Sequence, residues 1–217
     1  EELVLTAFRF DSETGPFTGN VSIVDFENPK LKGFAKGTIN LNAAHKIFHL
    51  PEFDQISGKL KVYCDFEAIQ QSNSNIQLKK CSGDVSIVNS NFKLENDKRE
   101  FQEVNGNLKF TTRDVRVNHF SLKVDHSDLK LKGSFSNVFN YLYNSGTLAM
   151  NINVNGDHVL LEDLGSTTKE EKLADGKIYA LPNNLKGTVG ISVENLEYGS
   201  HRYEKLRGQM DIKNRRI

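Results

Sequence analysis

The chain reads as all-β: an elongated, curved, mostly antiparallel sheet carrying a few short helices. Three observations carry that reading. Apolar and polar residues alternate over most of the length, which sends one set of side chains to one face of each strand. Glycine recurs within the alternating runs, always in the apolar register. Turn-forming residues such as Thr14-Gly15-Pro16, Asp125-His126-Ser127-Asp128 and Tyr198-Gly199 separate the runs.

The glycine pattern is Φ-x-Gly-x-Φ, with Φ apolar. It appears as Phe17-x-Gly19-x-Val21, Ala35-x-Gly37-x-Ile39, Ile56-x-Gly58-x-Leu60, Cys81-x-Gly83-x-Val85, Val104-x-Gly106-x-Leu108 and Leu131-x-Gly133-x-Phe135. It returns as Leu185-x-Gly187-x-Val189 and Leu206-x-Gly208-x-Met210, with Gly146-Thr147-Leu148 as a degraded copy in the gap between. Successive glycines lie 18, 21, 25, 23, 27, 54 and 21 residues apart, room for two strands and two turns per repeat. A period of that length marks a repetitive array, so residues 1–217 form one repetitive β region.

Taken in order, Leu3 to Phe10 is the first strand and Thr14-Gly15-Pro16 its turn. Asn42 caps a short helix holding Ala43, Ala44, Ile47 and Phe48, which Pro51 ends because the residue before proline avoids the helical region. Leu60 and Val62 alternate in the next strand. The polar run Gln70 to Asn75 is a hairpin loop midway between Cys64 and Cys81. A symmetric hairpin sets the two cysteines opposite each other, within reach of a cross-strand disulfide; the alternative is two small apolar residues in a β core. Asn105-Gly106 and Asn155-Gly156 carry turn chemistry. Phe120 to Val124, the Asp125–Asp128 turn and Leu129 to Phe135 form a hairpin. Ser136 or Asn137 caps a helix over Val138 to Leu142, and His158 to Leu164 forms a third, stopped by Gly165. Ser166 to Gly176 is charged and polar, an exposed, mobile loop. Val189, Ile191 and Val193, then Met210 and Ile212, are the last alternating runs.

Composition excludes several functions. Lys+Arg and Asp+Glu both number 28, so no basic block neutralises a phosphate backbone and nucleic acid is not the partner. No apolar run spans a bilayer, and no signal-peptide core opens the chain. The first residue is not Met, and the chain stops just after the strand ending at Ile212, so it reads as a fragment of a longer protein. His45 and His49 share a helical spacing, but no third ligand follows at metal spacing. Asp125-His126-Ser127 has the letters of a triad, yet adjacent residues in a tight turn cannot converge. Glu162-Asp163 and Glu170-Glu171 are carboxylate pairs in segments that look solvent-exposed, not in a cleft that would tune them apart. Nucleophile-elbow, phosphate-loop and dinucleotide motifs are missing. The expected protein is not an enzyme, with no cofactor and no metal.

The apolar rows are then the candidate site. A sheet with one apolar face must cover it with a second sheet, with helices, or by curling around an apolar ligand. Glycine on the face that bends favours curling, whereas a glycine that admits a neighbouring aromatic fits a closed sandwich equally. The curled sheet makes a groove lined by Ile39, Leu41, Leu60, Val62, Val85, Ile87, Leu108, Phe110, Leu131, Phe135, Val189, Ile191, Met210 and Ile212.

Two stretches carry a resemblance. One is Asn28-Pro29-Lys30-Leu31-Lys32-Gly33-Phe34-Ala35-Lys36-Gly37-Thr38-Ile39-Asn40-Leu41, followed by Ile56-Ser57-Gly58-Lys59-Leu60. The other runs from Leu181-Pro182-Asn183-Asn184-Leu185-Lys186-Gly187 through Leu196-Glu197-Tyr198 to Leu206-Arg207-Gly208-Gln209-Met210. With Val104 to Phe135 between them, they resemble the C-terminal repeat region of AsmA-like proteins, the AsmA/TamB group of Gram-negative cell envelopes. The resemblance implies a U-shaped sheet with a hydrophobic groove and a periplasmic location. It further implies attachment to the inner membrane by an N-terminal anchor outside this sequence, and a part in outer-membrane biogenesis as a carrier of phospholipid or another acyl-chain lipid. Envelope proteins are the further partners it implies. The family offers no catalytic residues to carry over, and this chain departs from it at the Ser166–Gly176 segment and in the gap between Gly133 and Gly187. The rival expectation is a structural β scaffold or assembly module of the envelope with a closed core.

Overall fold

A computed structural model describes residues 2–70, 76–144, 146–164 and 184–213. The expected loop at 166–176 lies outside the described residues, as does the expected loop at 70–75 apart from Gln70, which is the last residue of β4. Alternation of apolar and polar residues produces strand after strand, and these join in sequence order into one open, curved sheet. Its described strands are β1 (Glu2–Ser12), β2 (Gly15–Val24), β3 (Lys30–Asn40), β4 (Phe53–Gln70), β5 (Ile76–Leu94), β6 (Glu100–Thr111), β7 (Asp114–Val124), β8 (Ser127–Ser136), β9 (Leu148–Leu160), β10 (Leu185–Tyr198) and β11 (His201–Lys213). All neighbours pair antiparallel except β9 and β10, which run parallel.

Three short helices sit at strand ends: α1 (Leu41–Phe48), α2 (Val138–Asn144) and α3 (Leu161–Leu164). None of the described helices is long and apolar enough to cross a membrane. The cap of α1 is Asn40, not Asn42: the Asn40 side chain accepts from the Ala43 backbone N–H. His49 ends α1 in the left-handed region, two residues before Pro51. The expected third helix shrinks to four residues because His158 to Leu160 still belong to β9 and pair with β10. Asn105-Gly106 and Asn155-Gly156 are not turns. Each lies inside a strand, where ladder partners on both sides hold the backbone extended.

Register shifts cluster in β4 to β7, at Ser57/Lys59, Ile87/Ser90, Gln102/Asn105 and Val117/Phe120. Each is a place where one strand carries an extra residue, which bends the sheet and increases its twist. The backbone groups displaced there are met by amide side chains. Asn105 Oδ1 accepts from the Asn89 N–H, and Asn91 Oδ1 accepts from the Glu103 N–H. Asn89 and Glu103 both hold positive φ.

The buried apolar set is small: Ile56, Ala68, Cys81, Val104, Val117, Val124, Val159, Val189, Val193 and Ile212. Most other apolar strand residues are only half-buried. The accessible surface is 14825 Å². A compact monomer of this mass exposes about 10,000 Å². A single layer, open on both faces, contributes to that excess.

A candidate apolar trough

Following the ladder pairs from strand to strand shows which side chains share a face. Gly37 faces Val62, and the line continues through Val85, Leu108, Val117, Gly133, Ile152, Val189 and Met210. Phe17 of β2 lies against Gly37. A second line begins at Phe8 and runs Gly19, Ala35, Cys64, Gly83, Phe110, Val115, Phe135, Met150, Gly187 and Ile212. A third runs Ile39, Leu60, Ile87, Gly106, Phe120, Leu131, Val154, Ile191 and Gly208. Not one of these positions is polar. At about 4.8 Å per strand, ten steps make a strip about 48 Å long.

The sequence-predicted site residues fall on these lines with one exception. Ile39, Leu60, Val62, Val85, Ile87, Leu108, Phe110, Leu131, Phe135, Val189, Ile191, Met210 and Ile212 share the face. Leu41 does not: it is the first residue of α1, because Asn40 turns the chain out of β3 to cap the helix. Val115 and Val117 belong to the strip but stand out of phase with Phe120, since Asn118-His119 form the bulge of β7. The broken alternation in Val115-Arg116-Val117-Asn118-His119-Phe120 is the signal that marks it. Phe8, Phe17, Met150, Ile152 and Val154 also line the strip.

The glycines play two parts on this face. Phe17 lies over Gly37 and Phe120 over Gly106, each ring occupying the space a side chain would take, while at Gly19 and Gly83 the rings of Phe8 and Phe110 share that space with the Phe34 and Tyr63 carbonyl oxygens. This is the seating of a neighbouring aromatic, and it smooths the floor. Gly187 instead has φ +139 with the Met150 backbone where a Cβ would stand. Gly146 lies outside any strand, so it is not a copy of the repeat; Gly156 of β9, opposite Val193, takes that place.

The opposite face is polar. One of its lines runs Thr18, Lys36, Tyr63, Asp84, Lys109, Arg116, Ser134, Asn151, Thr188 and Asp211. Lys32–Glu67 and Lys109–Asp84 pair across strands at 3.3 and 3.7 Å, exposed contacts worth at most about 1 kcal/mol each. Local depressions of about 580 and 480 Å³ lie on this side, lined by Lys32, Phe34 and Glu67 and by Lys36, Lys61 and Tyr63 respectively. A twisted sheet is saddle-shaped, so concavity on one face does not preclude it on the other.

Cys64 pairs with Gly83 and Cys81 with Phe66, so the cysteines stand diagonally, not directly opposite. Both are thiols, with Sγ atoms 3.8 Å apart. Burial, reinforced by the Cys64 sulfur, pushes the Cys81 thiol up to about 12. His45 and His49 do not converge on a shared ligand site: His49 is the left-handed cap of α1, and the buried Nδ1 of His45 has no hydrogen-bond partner. Among the described residues no group of three or more His, Cys, Asp or Glu is placed to hold a metal.

Asp125 and His126 form a turn that leads into Ser127, the first residue of β8. Ser127 is fully buried; its hydroxyl donates to Asp163 Oδ2 at 2.8 Å and accepts from the Leu160 N–H at 2.8 Å. The His126 side chain is 79 % exposed, yet its Nδ1 lies 3.7 Å from Asp163 Oδ1, and its backbone N–H donates to Asp163 Oδ2 at 3.0 Å. The Asp163 side chain is only 10 % exposed, and Glu162 accepts from the Gly199 N–H. The expectation of a solvent-exposed segment therefore holds for Glu162 and is corrected for Asp163 alone, whose carboxylate is covered where it accepts from Ser127 and from the His126 N–H.

The fold and this face define a one-layer, all-β sheet with an apolar strip along its long axis. No protein-family model matches the chain, and neither a curated protein nor a solved structure matches it.

Proposed function

We propose that the chain is a non-enzymatic, lipid-carrying segment whose apolar strip shields acyl chains from water. One observation carries this reading: three apolar lines cross nine or more strands without a polar interruption, and no second protein layer faces them among the described residues. Full burial of a Val, Leu, Ile or Phe contributes roughly 1.5–3 kcal/mol. Half-buried side chains forgo part of that, and contiguous apolar surface on this scale marks a binding site. Acyl tails lie in the strip, and headgroups stay at the strand ends. The resemblance to AsmA-like proteins extends the reading to phospholipid movement between the two membranes of a Gram-negative envelope, from a periplasmic position. The closed scaffold is the weaker reading, since it requires a facing layer.

Native mass spectrometry of the purified chain, with lipid extraction, tests the proposal. Copurified two-chain lipid that is lost in Leu108→Asp and kept in Asn153→Asp, on the opposite face, is the expected result. A lipid-free protein that also takes up no lipid from phospholipid vesicles ends the proposal.

A further inference from the structure

We propose that Cys64 and Cys81 form a disulfide that staples β4 to β5 within the strip, made by exchange with a small-molecule disulfide of the glutathione type. The inference does not depend on what the strip carries. The two sulfurs already lie 3.8 Å apart on one face of adjacent strands. The residue opposite Cys64 is Gly83, so no Cβ stands between the Cys64 sulfur and its diagonal neighbour. Thr112 pins the Cys81 backbone: its Oγ1 accepts from the Cys81 N–H at 2.8 Å and donates to the Cys81 carbonyl at 3.3 Å. Cys81 is therefore the fixed partner and Cys64 the one that swings. Their burial sets the order of events. Cys64 is half-buried and reachable from the open side of the sheet, whereas Cys81 is buried.

In the first step the Cys64 thiolate attacks one sulfur of the reagent and expels one glutathione thiolate. In the second the Cys81 thiolate attacks the Cys64 sulfur of the mixed disulfide, forming the Cys64–Cys81 bond and expelling the glutathionyl group as a second thiolate. Two electrons pass from the two cysteines to the reagent, and the two cysteine protons end on two glutathione thiols. The second step is slow at neutral pH, because burial holds the Cys81 thiol above an ordinary cysteine, and that cause remains once Cys64 is capped.

The test is incubation of the folded chain with oxidised glutathione from pH 7 to pH 9, followed by acid quench, alkylation of free thiols and peptide mapping. The expected product is one peptide pair joined through Cys64 and Cys81. Ring closure should quicken roughly tenfold per pH unit as the Cys81 thiolate fraction rises. Cys81→Ser should stop at a stable glutathione adduct on Cys64, and Cys64→Ser should leave Cys81 unmodified. A wild-type protein in which both thiols stay alkylatable, or in which only links between chains form, overturns the proposal. Glutathione first appearing on Cys81 overturns the assigned order.

Discussion

Single glycines on the apolar face differ in what they tolerate, and the difference is measurable. Gly187 combines a left-handed φ with a backbone neighbour where a Cβ would go. Gly187→Ala should destabilise by about 2–3 kcal/mol, the sum of backbone strain and displacement. Gly208, on the outer strand, has open space in the same direction. Gly208→Ala should stay within about 0.5 kcal/mol of the parent in the same urea titration. Ser127 is the counterpart among polar residues. Ser127→Ala strands the part-buried Leu160 N–H and removes one of the two donors to Asp163 Oδ2, at an expected cost of about 1–3 kcal/mol. Cys81 gives a pH signature. Its folded thiol titrates near 12, above an ordinary cysteine. The unfolded chain therefore sheds this proton first as pH rises, so Cys81 contributes nothing to the slope at neutral pH and lowers stability increasingly above about pH 9. Alkaline urea titrations of the parent and of Cys81→Ala check the sign. At this scale the glycine register was plain in the sequence, since period-2 alternation assigns a face. What each glycine accommodates was not, because the ring over Gly83 comes from Phe110, 27 residues away.

Elements follow the sequence where one local device decides them and depart from it where a partner strand decides. The α1 helix needs only a capping side chain and a stop, and both are local. Asn40→Ala should therefore cost about 1 kcal/mol with little effect on the sheet, read by thermal unfolding. Asn105-Gly106 and Asn155-Gly156 have the chemistry of turns, yet ladder pairs on both flanks keep them in strands. Tertiary pairing overrides that local preference. The bulge at Asn118-His119 is written in the sequence as a phase slip between Val117 and Phe120, legible once alternation is followed residue by residue. The parallel pairing of β9 with β10 left no mark, because nothing in either strand's own alternation specifies the direction of its neighbour. Nor did the role of α3, whose carboxylates find their partners 36 or 37 residues distant in sequence.

Over the described residues the molecule is one layer thick and ordered like its sequence. A compact chain of this length has a radius of gyration of about 17 Å. Small-angle scattering should give a clearly larger value, in keeping with the surface of 14825 Å². That the rows would converge on one face was readable in advance; whether protein covers them is a question of tertiary arrangement, which no local pattern encodes.

The strand order has a mechanical consequence. Because each strand touches little beyond its two neighbours, and β1 and β11 lie at opposite margins, tension applied through the two ends loads the outermost hydrogen bonds first. The sheet should unzip as a train of small, weak steps, one strand or hairpin at a time, where a sandwich with a shared interior would yield in one abrupt rupture. Optical-tweezer traces would display that staircase, with a single high-force event as the contrary result.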